Sequence, residues 1–194
     1  LMDLSTGQVS SLPFTTQWSL LPPMLEERSW CATVNIPDSG VLFIGGIGGN
    51  ELPLRSTELL TWRSGEDGGG GGEKWQWLPF TPMNKEHRGD PFAVYFQGKV
   101  YVFGCGEKVN EMEMLDVTAG GQWTSLTFFS QHLNIQLMTR IGNELFILHQ
   151  EDLLFSDIYG LYSIELDGDP KRQLAKWRKR KDAPEQKLMT VHLK

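Results

Sequence analysis

The chain has 194 residues, 40% of them hydrophobic and 22% charged, a balance that fits a globular protein with apolar material for one good core or two small ones. No apolar run approaches the ~20 residues that a membrane-spanning helix needs, and residues 1–8 lack the basic start and apolar stretch of a signal peptide, so the chain reads as a fragment or as a start within a longer protein. The net charge of −6 is uneven: residues 1–170 hold nine Lys/Arg against 22 Asp/Glu and residues 171–194 hold nine against two, so the acidic body repels nucleic-acid phosphates and only the tail suits a polyanion.

In chain order, a first unit runs Trp18, Leu21-Pro22-Pro23-Met24, Arg28, Ala32 and Val34, then Val41-Leu42-Phe43-Ile44-Gly45-Gly46 and Ser56-Thr57-Glu58-Leu59-Leu60. Four strands are expected in it, near 28–35, 41–46, 55–61 and 75–79, separated by turn-rich pieces such as Pro37-Asp38-Ser39-Gly40. The second strand is nearly continuous in apolar residues, as a strand covered on both faces should be, and its closing glycines allow positive φ and close backbone packing. Residues 65–74 hold five consecutive glycines and read as a flexible insertion between two strands.

The second unit keeps that order: Trp77, Leu78, Pro82-Met83, Arg88, Ala93-Val94, Val100-Tyr101-Val102-Phe103-Gly104-Cys105 and Glu113-Met114-Leu115-Asp116-Val117. Arg28 and Arg88 are matched, each about five residues after its Pro-Met pair. A third, more divergent unit keeps Trp123, Leu126, the run 141–148 and Leu161-Tyr162-Ser163-Ile164, with Leu148-His149 standing where the glycines belong. Met2-Asp3-Leu4 matches Leu115-Asp116-Val117, and Trp177 continues the series, so the tryptophans at 18, 77, 123 and 177 step by 59, 46 and 54 residues. A period in this range is the mark of a repeat architecture.

The apolar run closed by Gly-Gly, the later strand ending in Asp and the tryptophan about six residues beyond it resemble the kelch repeat family, from residue 1 to at least Trp177. The resemblance implies an all-β, kelch-type β-propeller, here partial, with approximate blades at 28–79, 88–127 and 134–178 and partial blades at 1–21 and 186–194. Cys105 replaces one family glycine, and Leu59 and Leu115 stand where the third strand usually has tyrosine. The repeat markers are Trp18, Gly45, Gly46, Trp77, Gly104, Trp123 and Trp177.

Cys31 and Cys105 have no metal-like spacing and define no disulfide framework, which fits a reducing, cytoplasmic location. The histidines at 87, 132, 149 and 192 show no ligand-pair spacing and read as satisfied loop or strand residues. Gly45-Gly46-Ile47-Gly48-Gly49 is followed by Asn50-Glu51-Leu52-Pro53 and not by the Lys-Ser/Thr of a phosphate loop, so it reads as a strand end. Residues 171–181 hold seven cations around Trp177 and read as a solvated edge strand, with a polyanion site as the alternative. Neither the tyrosine-cysteine set of copper-radical kelch enzymes nor the four-residue acidic and cysteine series of iron-dependent ones occurs, so no enzyme, metal or cofactor is expected.

The remaining expectation is protein recognition by loops gathered on one face, 47–54, 106–110 and 150–158 together with 22–27, 79–87 and 128–133. Arg28, Glu51, Arg55, His87, Arg88 and Asn110 are the candidate partner-binding residues, with a structural salt bridge the alternative for Arg28 or Arg88. The resemblance implies other proteins as partners, either ubiquitin-ligase substrates or actin; a cytoskeleton-linked structural protein and a kelch-scaffold metalloenzyme are the rival classes.

Overall fold

The computed structural model describes residues 20–63, 74–87, 90–104, 108–109, 111–127, 133–150, 159–166 and 177–183. They are all-β. The strands are β1 (Arg28–Ser29), β2 (Ala32–Ile36), β3 (Gly40–Ile44), β4 (Ile47–Gly48), β5 (Thr57–Arg63), β6 (Lys74–Phe80), β7 (Phe92–Phe96), β8 (Lys99–Phe103), β9 (Lys108–Val109), β10 (Glu111–Asp116), β11 (Gln122–Thr127), β12 (Leu133–Ile141), β13 (Glu144–Gln150), β14 (Tyr159–Glu165) and β15 (Arg178–Ala183).

Three antiparallel sheets follow one another along the chain, each a meander of four strands: β2-β3-β5-β6, β7-β8-β10-β11 and β12-β13-β14-β15. The third carries β9 as a fifth strand on the free side of β12. The described residues form no closed ring of sheets.

Alternation explains the first strand of the first meander. In β2 the apolar Ala32, Val34 and Ile36 are buried while Thr33 and Asn35 between them are exposed. Among the second strands β8 is covered on both faces, with Val100, Tyr101, Val102 and Phe103 all buried, whereas in β3 Leu42 and Ile44 are buried and Val41 and Phe43 half-buried. Residues 41–44 and 100–103 both occupy the second position in their sheets, paired on either side.

Two apolar clusters join the meanders. Val34, Leu42, Ile44 and Leu59 of the first sheet pack with Val100, Val102, Leu115 and Trp123 of the second. Tyr101, Phe103, Met112 and Met114, on the other face of the second sheet, pack with Ile135, Leu145, Ile147 and Ile164 of the third. At ~1.5–3 kcal/mol for each fully buried large apolar side chain, these clusters are the main cohesive term. The middle sheet is thus covered on both faces.

The expected first strand at 28–35 divides: residues 28–29 pair with 47–48 as a separate two-residue ribbon, and the sheet strand begins at Ala32. Trp30, with φ 56°, makes the break. The glycine doublet behaves as its sequence suggests, with φ of 58° at Gly45 and 92° at Gly46, and a β-carbon on Gly46 would lie 2.4 Å from the Ser29 carbonyl oxygen. Gly104 is buried but is not among the glycines of positive φ, so the shared letter there does not mean a shared backbone.

The third unit needs a register correction. The turns Phe96 to Lys99 and Ile141 to Glu144 are equivalent, and Val117 N bonding Gly98 O (2.8 Å) is matched by Leu166 N bonding Asn143 O (2.7 Å). Counting from these turns puts His149-Gln150, and not Leu148-His149, opposite Gly104-Cys105. Residues 1–19 and 184–194, with Trp18 and nearly all of both expected partial blades, lie outside the described residues, as does the glycine-rich insertion except for Lys74.

Candidate functional site

Each of the first two meanders is closed by a carboxylate on its third strand. Glu58 of β5 accepts hydrogen bonds from the backbone N–H of Leu25 (2.9 Å) and Glu26 (3.0 Å), fixing the segment that leads into the first sheet. Glu113 of β10 accepts the N–H of Asn84 (2.7 Å) and Lys85 (3.1 Å), fixing the segment that leads into the second. Leu25 and Asn84 directly follow the Pro23-Met24 and Pro82-Met83 pairs, so the two clasps occupy the same place.

Tryptophan adds a second tie at the same segments. Trp77, on β6 opposite Leu60, donates its indole N–H to Pro22 O at 2.7 Å; Trp123, on β11 opposite Leu115, donates to Thr81 O at 2.7 Å. Both acceptors are the carbonyl just before the Pro-Met pair. Trp177 immediately precedes β15, whose pairing begins with Arg178 opposite Ser163, which places it at the corresponding step of the third sheet.

The cations differ. Arg28 has a side chain that is 0% exposed; its NH2 lies 2.5 Å from Glu58 Oε1 and 3.1 Å from Ser56 Oγ, and its NH1 donates to Gly45 O (2.9 Å) and Ser56 O (3.0 Å). One guanidinium therefore ties β5 to the end of β3 and to the lead-in segment. The equivalent residue in the second sheet is His87, five residues after Pro82 as Arg28 is five after Pro23, and not Arg88, which lies outside the described residues. His87 is 1% exposed, and its Nε2 is 3.4 Å from Glu113 Oε1, whose side chain is 0% exposed. Burial pushes the Glu113 carboxyl up, but His87 and the amides of Asn84 and Lys85 more than reverse this and hold it below the usual carboxylate range.

Arg28 and His87, expected on a partner-facing surface, are instead interior clasps; for Arg28 the structural salt bridge weighed from sequence is what the geometry shows. Glu51 and Arg55 are exposed, Glu51 at φ 63° in the loop after β4, and Arg55 with its Nε donating to Met83 O at 3.0 Å. Asn110 lies outside the described residues, as do the loops 106–110 and 150–158 in the main. His149 accepts the Asn134 N–H through Nδ1 at 3.0 Å within the third sheet; His132 and His192 are outside the described residues.

Sequence reasoning missed the exposed apolar residues at this end of the first sheet. Leu25 in the lead-in segment is 59% exposed, Trp30 69% and Leu52 59%. The pairing of β1 with β4 places the 20–30 and 49–54 segments at one end of the sheet. The mark was available in the letters, since 47–54 was expected to be a loop and Leu52 has no strand to belong to.

In the third sheet Tyr162 stands opposite Ile147, the position of Glu58 and Glu113 in the others. Charge is handled at the edge instead: Arg180 of β15 donates to Glu144 and to Ser163 Oγ (2.7 Å), and Ser163 Oγ donates to Glu144 at 2.8 Å. Of the basic stretch 171–181, residues 178–181 lie in the edge strand β15, with Arg178 also 3.7 Å from Glu165.

No group of three or more His, Cys, Asp or Glu is placed to hold a metal among the described residues, and no helix among them is long and apolar enough to cross a membrane. The Cys31 thiol is pushed up by burial, partly offset by Arg28, which lowers its thiolate content; Cys105 lies outside the described residues. No protein-family model matches the chain.

Proposed function

We propose that this chain is part of a kelch-type β-propeller and serves as a protein-recognition module. The propeller reading is supported by four-stranded meanders stacked face to face and by the recurrence, at matching positions, of a carboxylate clasp and an indole tie. The observation that carries the recognition reading is the exposed set Leu25, Trp30 and Leu52, on segments anchored by Glu58 and the β1–β4 ribbon. Apolar side chains held rigidly in solvent are what a protein partner covers, and tryptophan is the residue most enriched among those that dominate binding energy. Glu51, close in sequence to Leu52, and Arg55 supply the polar rim. Substrate delivery to a ubiquitin ligase and actin binding are two uses such a module serves.

Quantitative affinity capture with the wild-type chain and with Trp30→Ala/Leu52→Ala tests the reading. A discrete set of proteins should be lost from the double variant, with its thermal midpoint preserved because both side chains face solvent. Identical captures by the two proteins would remove this surface from the function.

A further inference from the structure

The first strands of the three meanders border an open pocket of about 300 Å³ that none of the clasps or loops above uses. Its lining repeats by register: Asn35, Tyr95 and Arg140 each lie opposite the second residue of their neighbouring strand, Val41, Val100 and Leu145. Val34, Val94 and Thr139 precede them, again one from each sheet. Three equivalent positions thus bring an asparagine, a tyrosine and an arginine to the border of one space. The cavity lies toward the β2–β3, β7–β8 and β12–β13 turns, at the opposite end of the sheets from Leu25 and Leu52.

The walls are apolar at Val34, Ala93, Val94 and Met138, and Arg140 is the one charged residue among the described lining residues. Arg140 stacks on Phe96 with its guanidinium carbon 5.4 Å from the ring centroid and donates to Gly142 O, but no carboxylate pairs with it among the described residues. Arg28 and Arg180, by contrast, each meet a glutamate. The Tyr95 hydroxyl accepts the Gly98 N–H at 3.1 Å, which leaves its own proton to donate.

We propose that this cavity binds a small organic carboxylate, its anionic group on Arg140 and its apolar body against Val34, Val94 and Met138. A guanidinium with unused N–H groups beside apolar side chains selects a carboxylate over a neutral isostere, since the charge-assisted fork is the strong contact. The volume, at the lower end of the ~300–1,000 Å³ range of small-molecule sites, admits a single ring or short chain and no folded partner.

The test is calorimetric titration of the whole chain with benzoate, its neutral isostere benzamide, and inorganic phosphate, which brings charge without an apolar body. Benzoate should bind saturably in the millimolar range, with benzamide and phosphate each weaker by about tenfold or more. Arg140→Gln should weaken benzoate by a similar factor. Asn35→Asp, an exposed substitution that adds a competing carboxylate to the lining, should weaken it as well and decides the matter should Arg140→Gln fail to fold. Absence of saturable benzoate binding, benzamide binding as tightly as benzoate, or unchanged affinity in a folded Arg140→Gln or Asn35→Asp protein would overturn the proposal. Loss of the Trp30 and Leu52 surface leaves this titration unchanged, so the two readings fail separately.

Discussion

The first two meanders solve one problem with two different cations. Both must hold a lead-in segment against the third strand, and both use a glutamate that accepts two consecutive backbone amides. In the first sheet Arg28 neutralises that glutamate and reaches on to Gly45 O and Ser56 O. In the second, the shorter His87 lies beside the carboxylate alone, and neither of its ring nitrogens makes a hydrogen bond among the described residues. An arginine offers a planar fork of five donors, whereas an imidazole offers two at most. The pair teaches that the shared element is the amide clasp, and that the cation behind it is interchangeable in identity but not in strength.

Removing the glutamates should therefore cost different amounts. Glu58→Ala strands a buried guanidinium and two amides, and the loss expected for breaking a buried pair is about 3–5 kcal/mol. Glu113→Ala should cost less, about 1–3 kcal/mol, because it strands two amides beside an imidazole that makes no hydrogen bond, where Glu58→Ala strands a guanidinium that donates to the lost carboxylate. Urea unfolding at pH 7 measures both, and equal losses would mean that the two backbone amides, and not the cation behind them, set the cost.

Acid sharpens the contrast. The folded pKa of Glu113 lies below its unfolded value near 4.5, so its stabilisation is complete above that value and is lost as pH falls through the folded one. The stability gap between wild type and Glu113→Gln, measured by urea at pH 5 and again at pH 3, should narrow at pH 3. A gap that widens with acid would reverse the sign assigned to this carboxylate.

The indole ties should show the smallest and most even effects. Trp77→Phe and Trp123→Phe each remove one hydrogen bond to a lead-in carbonyl, worth about 1 kcal/mol, with Trp123 the costlier because it is also 7% exposed and part of the apolar cluster between sheets. Thermal midpoints of the two variants would show this order, and a larger drop for Trp77 would place the weight of the first sheet on its tie instead of on Arg28.

Much of this architecture is legible in the letters because it depends on periodicity. Apolar runs bounded by turn residues mark Val41 to Ile44 and Val100 to Phe103, and tryptophan spacing marks the fourth strands. Matching Arg28 to Arg88 fails because the match follows the letter, while the clasp follows backbone spacing from Pro23 and Pro82, which selects His87. The break at Trp30 and the ribbon at 28–29 are set by one residue of positive φ, which no propensity of tryptophan announces. The cavity is the least legible feature of all. Asn35, Tyr95 and Arg140 share no chemistry, and only the register of three separate hairpins makes them neighbours.

The short strand β9 belongs by sequence to the second meander but pairs at Leu133 and Asn134 with the first strand of the third. Its counterpart β4 pairs instead with β1, within its own unit. The second and third meanders consequently share a backbone ladder as well as side-chain packing, whereas the first has no such ladder to its neighbour among the described residues. In amide hydrogen exchange the second and third should open together as one cooperative unit, with the first free to open alone at lower free energy. The molecule would then come apart as one sheet and a pair.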